Sequence, residues 1–187
     1  MAFKRLTIDG YGQIELNNVA FRRDGRIEAQ AKPNATDFSV DKLENGMLLA
    51  VDVAKREVKY AVDGTLPVAL NYSAEHMYDE RADGLKDFYL NGTDDFLPRL
   101  GYLAVGDKFT TNCVGYDSAV DTAWATESVF VSALAACATS TLYGGISPKG
   151  AILVSATAPT EGPKLRVVEK TTMPNGTLGV KFQVLAE

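Results

Sequence analysis

The chain has 187 residues, of which 46% are hydrophobic and 23% charged, proportions typical of a soluble globular domain. Its 19 Lys and Arg residues against 24 Asp and Glu residues give a net charge of -5, which argues against a generic nucleic-acid binder. With one histidine (His76) and two cysteines (Cys113 and Cys137), the common zinc, haem and Cys/His nucleophile sites are largely excluded, and we expect no metal and no cofactor.

The first predicted element is a small hairpin, in which residues 19–21 and 26–28 flank the turn dipeptide Asp24-Gly25. Lys32-Pro33 then interrupts the chain before the main series of strands. We therefore expect two parts: an N-terminal arm or hairpin at residues 1–31, and a β-rich core domain at residues 32–187. The alternative is that residues 1–31 are simply the first hairpin of the core.

Further strands are predicted from apolar or alternating runs separated by turn residues. These strands cover residues 47–51, 57–62, 67–71, 108–114, 151–154, 165–169 and 179–185. The last two flank Pro174-Asn175-Gly176 and form the clearest hairpin of the sequence. Many short strands at about ten-residue spacing predict a mainly β protein with a β-barrel or β-sandwich core.

One or two short helices complete the prediction. Ser73 is a suitable N-cap for a polar helix over residues 74–83, which would carry His76 on the surface. Residues 133–138 favour a second helix within residues 127–139, whereas residues 129–131 favour a strand, so the choice stays open.

Charge is distributed unevenly along the chain. Residues 109–160 form a run of 52 residues with only four charges, namely Asp117, Asp121, Glu127 and Lys149. Such a run is typical either of an internal core sheet or of a surface that packs against a partner. Both interpretations stay open. We expect the two cysteines to be reduced, buried thiols.

No pattern in the sequence indicates catalysis, and we expect that the protein is not an enzyme. His76 has no G-x-S-x-G nucleophile motif to accompany it, and the glycines and lysine of residues 144–150 lack the order of a phosphate-binding loop. The carboxylates at residues 94–95 and 117–127 have no aromatic platform of a sugar cleft around them, so we expect solvated loop side chains.

A basic cluster lies beside the first predicted turn. Arg22, Arg23 and Arg26 are candidates for contact with an acidic protein partner, the alternative being ordinary solvated turn residues. The N-terminus has no apolar segment of a signal peptide, and residues 129–138 are about half as long as a membrane helix requires. We therefore expect a soluble protein made in a cytoplasm, with no role at a membrane.

Five runs of the sequence resemble proteins encoded in the head-gene clusters of tailed bacteriophages. They are MLLAVD (47–52), LPVALNYSAE (66–75), GLKDF (84–88), PRLGYLAVGDKFTTN (98–112) and MPNGTLGVKF (173–182). The resemblance implies a virion structural protein, a β-rich decoration or cement protein of the capsid. It would be made in the host bacterium and bind the major capsid protein and copies of itself, as a homo-oligomer or lattice-bound protein.

Three alternatives remain from the sequence. The first is another virion component, such as a head-completion, fibre or tail protein. The second is a β-module that binds carbohydrate or a host surface, for which Trp124 and Tyr116 would supply the aromatic contacts. The third is an enzyme with a site that no motif reveals.

Overall fold

The fold is taken from a computed structural model, which describes residues 3–8, 10–73 and 97–187. The helix predicted at residues 74–83, His76 and the carboxylates at residues 94–95 lie outside the described residues. Strands dominate the rest, so the predicted mainly β class is confirmed. Neither helix of the described ranges is long and apolar enough to cross a membrane.

The described residues form fourteen strands and two helices. In chain order the elements are β1 (Phe3–Arg5), β2 (Ile14–Asn18), α1 (Ala20–Asp24), β3 (Ile27–Glu28), β4 (Lys32–Pro33), β5 (Leu48–Asp52), β6 (Glu57–Tyr60), β7 (Val68–Asn71), β8 (Leu100–Gly101), β9 (Lys108–Thr111), β10 (Val114–Asp117), α2 (Glu127–Ala135), β11 (Tyr143–Gly145), β12 (Ile152–Ser155), β13 (Lys164–Thr172) and β14 (Leu178–Ala186).

The strands form two sheets that are not closed into a barrel, so the sandwich is the better of the two predicted architectures. The eight-stranded sheet has the order β1-β10-β12-β11-β13-β14-β9-β2, and the six-stranded sheet has the order β3-β8-β7-β5-β6-β4. All neighbours are antiparallel except β10 with β12 and β4 with β6. The four edge strands have only two to five residues each, which limits pairing with foreign strands.

The hairpin predicted around Pro174-Asn175-Gly176 is present. Strands β13 and β14 pair along their whole length, and the turn between them is closed by the Met173 amide donating to the Thr177 carbonyl (2.8 Å). Gly176 has φ +86°, which explains why a glycine is favoured at this position of the turn. Strands β5 and β6, which lie at two of the predicted strands, also pair with each other, with Leu49 opposite Tyr60.

Successive side chains of the small sheet point alternately into two hydrophobic cores. Leu48 and Leu70 belong to the first core, which they share with side chains of the large sheet and of α2. Leu49 and Ala69, their neighbours in the chain, belong to the second core together with Phe38 from the segment between β4 and β5. The small sheet is therefore buried on both faces, which is why β5 is continuously apolar.

The hairpin predicted around Asp24-Gly25 is wrong. Residues 20–24 form α1, and Gly25 ends this helix in the left-handed conformation (φ +69°), with its amide bonded to the Phe21 carbonyl. Phe21 is fully buried, and a Cβ at Gly101 would lie 2.5 Å from its ring. Helix α1 thus forms because Phe21 inserts into the first core against a glycine.

Residues 1–31, predicted as an N-terminal arm or hairpin apart from the core, contribute two strands to the large sheet. Strand β1 pairs with β10 and strand β2 pairs with β9, so both belong to the large sheet. Leu6 and Ile14 lie in the first core, and Ala31 lies in the second. The described part of residues 1–31 is therefore built into the sandwich, although not as a hairpin.

The single strand predicted at residues 108–114 is divided in two. Strand β9 ends at Thr111 and β10 begins at Val114, and these strands lie in distant parts of the large sheet. The buried Asn112 between them accepts a hydrogen bond from the Gln13 amide (2.7 Å) and donates to the Tyr11 carbonyl (3.2 Å). Its side chain thus satisfies backbone groups at the break.

Candidate interaction surface

The exposed residues of the chain segment that contains α2 carry no charge. Within residues 118–141, fifteen residues are exposed and all of them are uncharged. We call this set the uncharged surface; it comprises Ala119, Val120, Thr122, Ala123, Ala125, Thr126, Ser128, Val129, Ser132, Ala135, Ala136, Ala138, Thr139, Ser140 and Thr141. In a chain of 23% charged residues, such a surface is a candidate for contact with a partner.

Helix α2 has little polar contrast between its two sides. Phe130 and Leu134 are fully buried in the first core, one helical turn apart. The opposite side exposes Val129 (44% exposed), Ser132 and Ala136 in place of the charged residues that usually face water. Apart from Glu127 in its first turn, α2 carries no charge, and a helix without a charged outer side is a candidate for coverage by a partner.

Three carboxylates lie near the uncharged surface, and each accepts a hydrogen bond from the protein itself. Asp117 accepts from the Ala119 amide (2.8 Å) and Asp121 from the Ala156 amide (3.2 Å). Glu127 accepts from the amide (3.1 Å) and the hydroxyl (2.8 Å) of Thr7. These carboxylates stabilise turns and attach the N-terminal segment to α2, which is a structural task.

A shallow apolar cavity continues the uncharged surface. It has a volume of about 250 Å³, and Val120 belongs both to its lining and to the uncharged surface. Tyr143, Ile146 and Leu153 line it together with residues 155 and 157–160, none of which is charged. The exposed surface that lacks charge therefore extends from α2 onto the outer side of β11 and β12.

The three arginines predicted to bind a partner lie at the end of α1 and just beyond it. Arg22 and Arg23 are exposed in its last turn, where cations interact favourably with the helix dipole. Arg23 bonds to Asp24 (2.6 Å) and lowers the pKa of that carboxyl. Arg26 bonds to Glu187 and to the Leu103 carbonyl (both 3.2 Å). Their role towards a partner stays a prediction.

A polar cluster connects the N-terminal strand to the loop before β5. Arg5 bonds to both carboxylate oxygens of Glu44 (2.8 and 2.5 Å), and Glu44 also accepts from the Gly12 amide (2.7 Å). Burial, together with the nearby carboxylates of Asp41 and Asp37, raises the pKa of Tyr60. No three His, Cys, Asp or Glu side chains of the described ranges are grouped so that they could hold a metal ion.

Both cysteines are free and buried, as predicted. Burial raises the pKa of the Cys113 thiol to about 12, so this group stays protonated and unreactive at neutral pH. Cys113 packs in the second core and Cys137 in the first. Both act as small apolar side chains.

Comparisons with protein-family models, with curated proteins and with solved structures found no match to this chain. The sequence showed the uncharged surface only in part, because some of residues 109–160 lie in the core and others are exposed. Tyr116, Ile152 and Val154 are core residues, whereas most of residues 118–141 are exposed or half-buried. Only the fold separates the two groups.

Proposed function

We propose that this protein is a virion structural protein of a tailed bacteriophage, which binds the outside of the capsid as a decoration or cement protein. The sequence resemblance supplies the class of protein. The observation that carries the proposal is the uncharged surface around α2, in a chain whose net charge is -5. Its partners are the major capsid protein and neighbouring copies of the same chain.

The composition of the uncharged surface suits this task. Alanine, serine and threonine allow close approach of two backbones, and none of the fifteen exposed side chains carries a charge that would have to be removed from water when the surface is covered. Each contact is modest. Many copies on one lattice then hold tightly, because repeated weak contacts add up to high avidity.

The alternative of a carbohydrate-binding module receives no support from the described residues. Trp124 and Tyr116, the aromatic residues that would stack on a sugar, are both buried. Both rings pack against Phe130, at centroid distances of 5.3 and 4.8 Å. The two aromatic rings therefore stabilise the packing of α2 on the core.

Val129→Asp is expected to weaken capsid binding at least tenfold, which corresponds to about 1.4 kcal/mol, because the new carboxylate would be buried in the contact. The substitution should leave the fold intact. Val129 is exposed and lies in the first turn of α2, where an acidic residue is favoured by the helix dipole. Cosedimentation of the purified protein with shells that lack it measures the affinity.

The matched control is Val53→Asp, which changes a more exposed valine (64% against 44% for Val129) in the turn between β5 and β6. This variant is expected to bind shells like the unmodified protein. Equal binding by both variants would show that the uncharged surface is not the contact. Failure of the unmodified protein to sediment with shells would contradict the proposed function itself.

A further inference from the structure

A cleft opens where β7 and β8 separate. The two strands pair only through Leu70 with Gly101 and Asn71 with Leu100, although β7 begins two residues earlier, at Val68. Residues 64–68, Tyr102 and Leu103 line the cleft, together with Arg26, Glu187 and residues 162–163. Its volume of about 500 Å³ lies within the range of ligand-binding sites.

The strand alternation turns backbone groups of β7 towards this cleft. The Pro67 carbonyl accepts a hydrogen bond from the Val51 amide, and the Asn71 amide donates to the Met47 carbonyl. The backbone N–H and C=O groups of the odd-numbered residues of β7 therefore face β5. Val68 lies opposite Ala50, between those bonds, and its own N–H and C=O point away from β5. They face the side on which β8 has already ended.

Just beyond β8, the Arg26 side chain bonds to a backbone carbonyl that would otherwise be available to a neighbouring strand. The Tyr102 amide donates to the Arg26 carbonyl, towards β3, so the carbonyl of the next residue, Leu103, points to the β7 side. That carbonyl accepts a hydrogen bond from the Arg26 guanidinium (3.2 Å). The guanidinium is thereby held beside the cleft.

The same guanidinium already binds a carboxylate. Arg26 contacts both oxygens of Glu187, at 3.5 and 3.2 Å. The two side chains are 39% and 51% exposed, and an ion pair of this exposure adds little stability, so another carboxylate can replace Glu187. Arginine also matches the two oxygens of a carboxylate in its geometry.

We propose that this cleft binds an extended peptide segment that carries a carboxylate. The segment adds a short strand beside Val68, in line with β8, and its carboxylate takes the place of Glu187 on Arg26. Main-chain hydrogen bonds supply affinity and the arginine supplies selectivity for an acidic residue, as in other strand-addition sites. This inference is independent of the proposed capsid function.

The test is a nuclear magnetic resonance titration of the full chain with the peptide acetyl-TVTVE-amide and its matched control acetyl-TVTVQ-amide. We expect the acidic peptide to shift the amide signals of Leu66, Val68 and Leu103, and to bind at least fivefold more tightly than the control. Arg26→Gln should remove that preference, whereas Arg166→Gln, at an exposed arginine of β13, should keep it.

Glu187→Gln gives a result that a purely structural role would not produce. Removing the competing carboxylate is expected to tighten binding of the acidic peptide severalfold, and Glu187 is exposed, so the variant keeps its fold. Equal shifts with both peptides, no shifts at residues 64–68, or weaker binding by Glu187→Gln would each overturn the inference.

Discussion

Deletion of residues 1–31 is expected to abolish cooperative folding of the remaining chain. The deletion removes Leu6, Ile14 and Phe21 from the first core, and each buried side chain of this size contributes about 1.5–3 kcal/mol. Together they are comparable to the whole stability of a typical domain, about 5–15 kcal/mol. The deletion also removes β1 and β2, which leaves β10 and β9 as new, unprotected edges.

Circular dichroism during urea unfolding measures this effect. The shortened chain should show no sigmoidal transition, whereas Lys4→Ala, at an exposed position of β1, should unfold at the midpoint of the unmodified protein. A shortened chain with an unchanged, cooperative transition would mean that residues 1–31 are a separate arm after all.

The second large effect is expected at Phe130. This side chain is fully buried. Its ring stacks on that of Tyr116 and packs against that of Trp124, at centroid distances of 4.8 and 5.3 Å. Phe130→Ala leaves a cavity beneath α2 and should lower the free energy of unfolding by about 3–5 kcal/mol. Trp124 is the only tryptophan of the chain, so its fluorescence reports directly on this site during denaturation.

Val129→Ala, at the adjacent exposed position of the same helix, is the control for this substitution. It should change the free energy of unfolding by less than about 1 kcal/mol, since it opens no cavity and alanine favours the helix. A loss of less than about 1 kcal/mol for Phe130→Ala would contradict the packing of α2 on the first core.

Local turn chemistry made part of the fold predictable. The β13–β14 hairpin follows from Asn175-Gly176 between two apolar runs, since this combination is the strongest short-range signal for a hairpin. The same argument fails at Asp24-Gly25, because a left-handed glycine serves equally to end a helix. Only the burial of Phe21 against Gly101 decides between the two outcomes, and that contact is distant in sequence.

Pairing between distant strands could not be predicted from the sequence. The parallel contact of β10 with β12 and the docking of β1 and β2 on the large sheet depend on the whole architecture. The division of residues 108–114 depends on hydrogen bonds that Asn112 makes to residues about one hundred positions away. These are tertiary effects that local propensity does not contain.

The candidate surface was predictable in composition and unpredictable in shape. The lack of charge in residues 109–160 is visible in the sequence, but the choice between strand and helix at residues 127–139 decides which side chains face water. A helix buries Phe130 and Leu134 and exposes Val129, Ser132 and Ala136. The cleft at Arg26 had no signal beyond the arginine itself, because it depends on where β8 ends.

Electron cryo-microscopy of phage shells saturated with this protein tests the central proposal most directly. The proposal predicts density in many copies on the outside of the shell, with α2 and residues 118–141 turned towards the major capsid protein or an adjacent copy. Density in which the uncharged surface faces solvent while another side of the sandwich makes the contacts would contradict it.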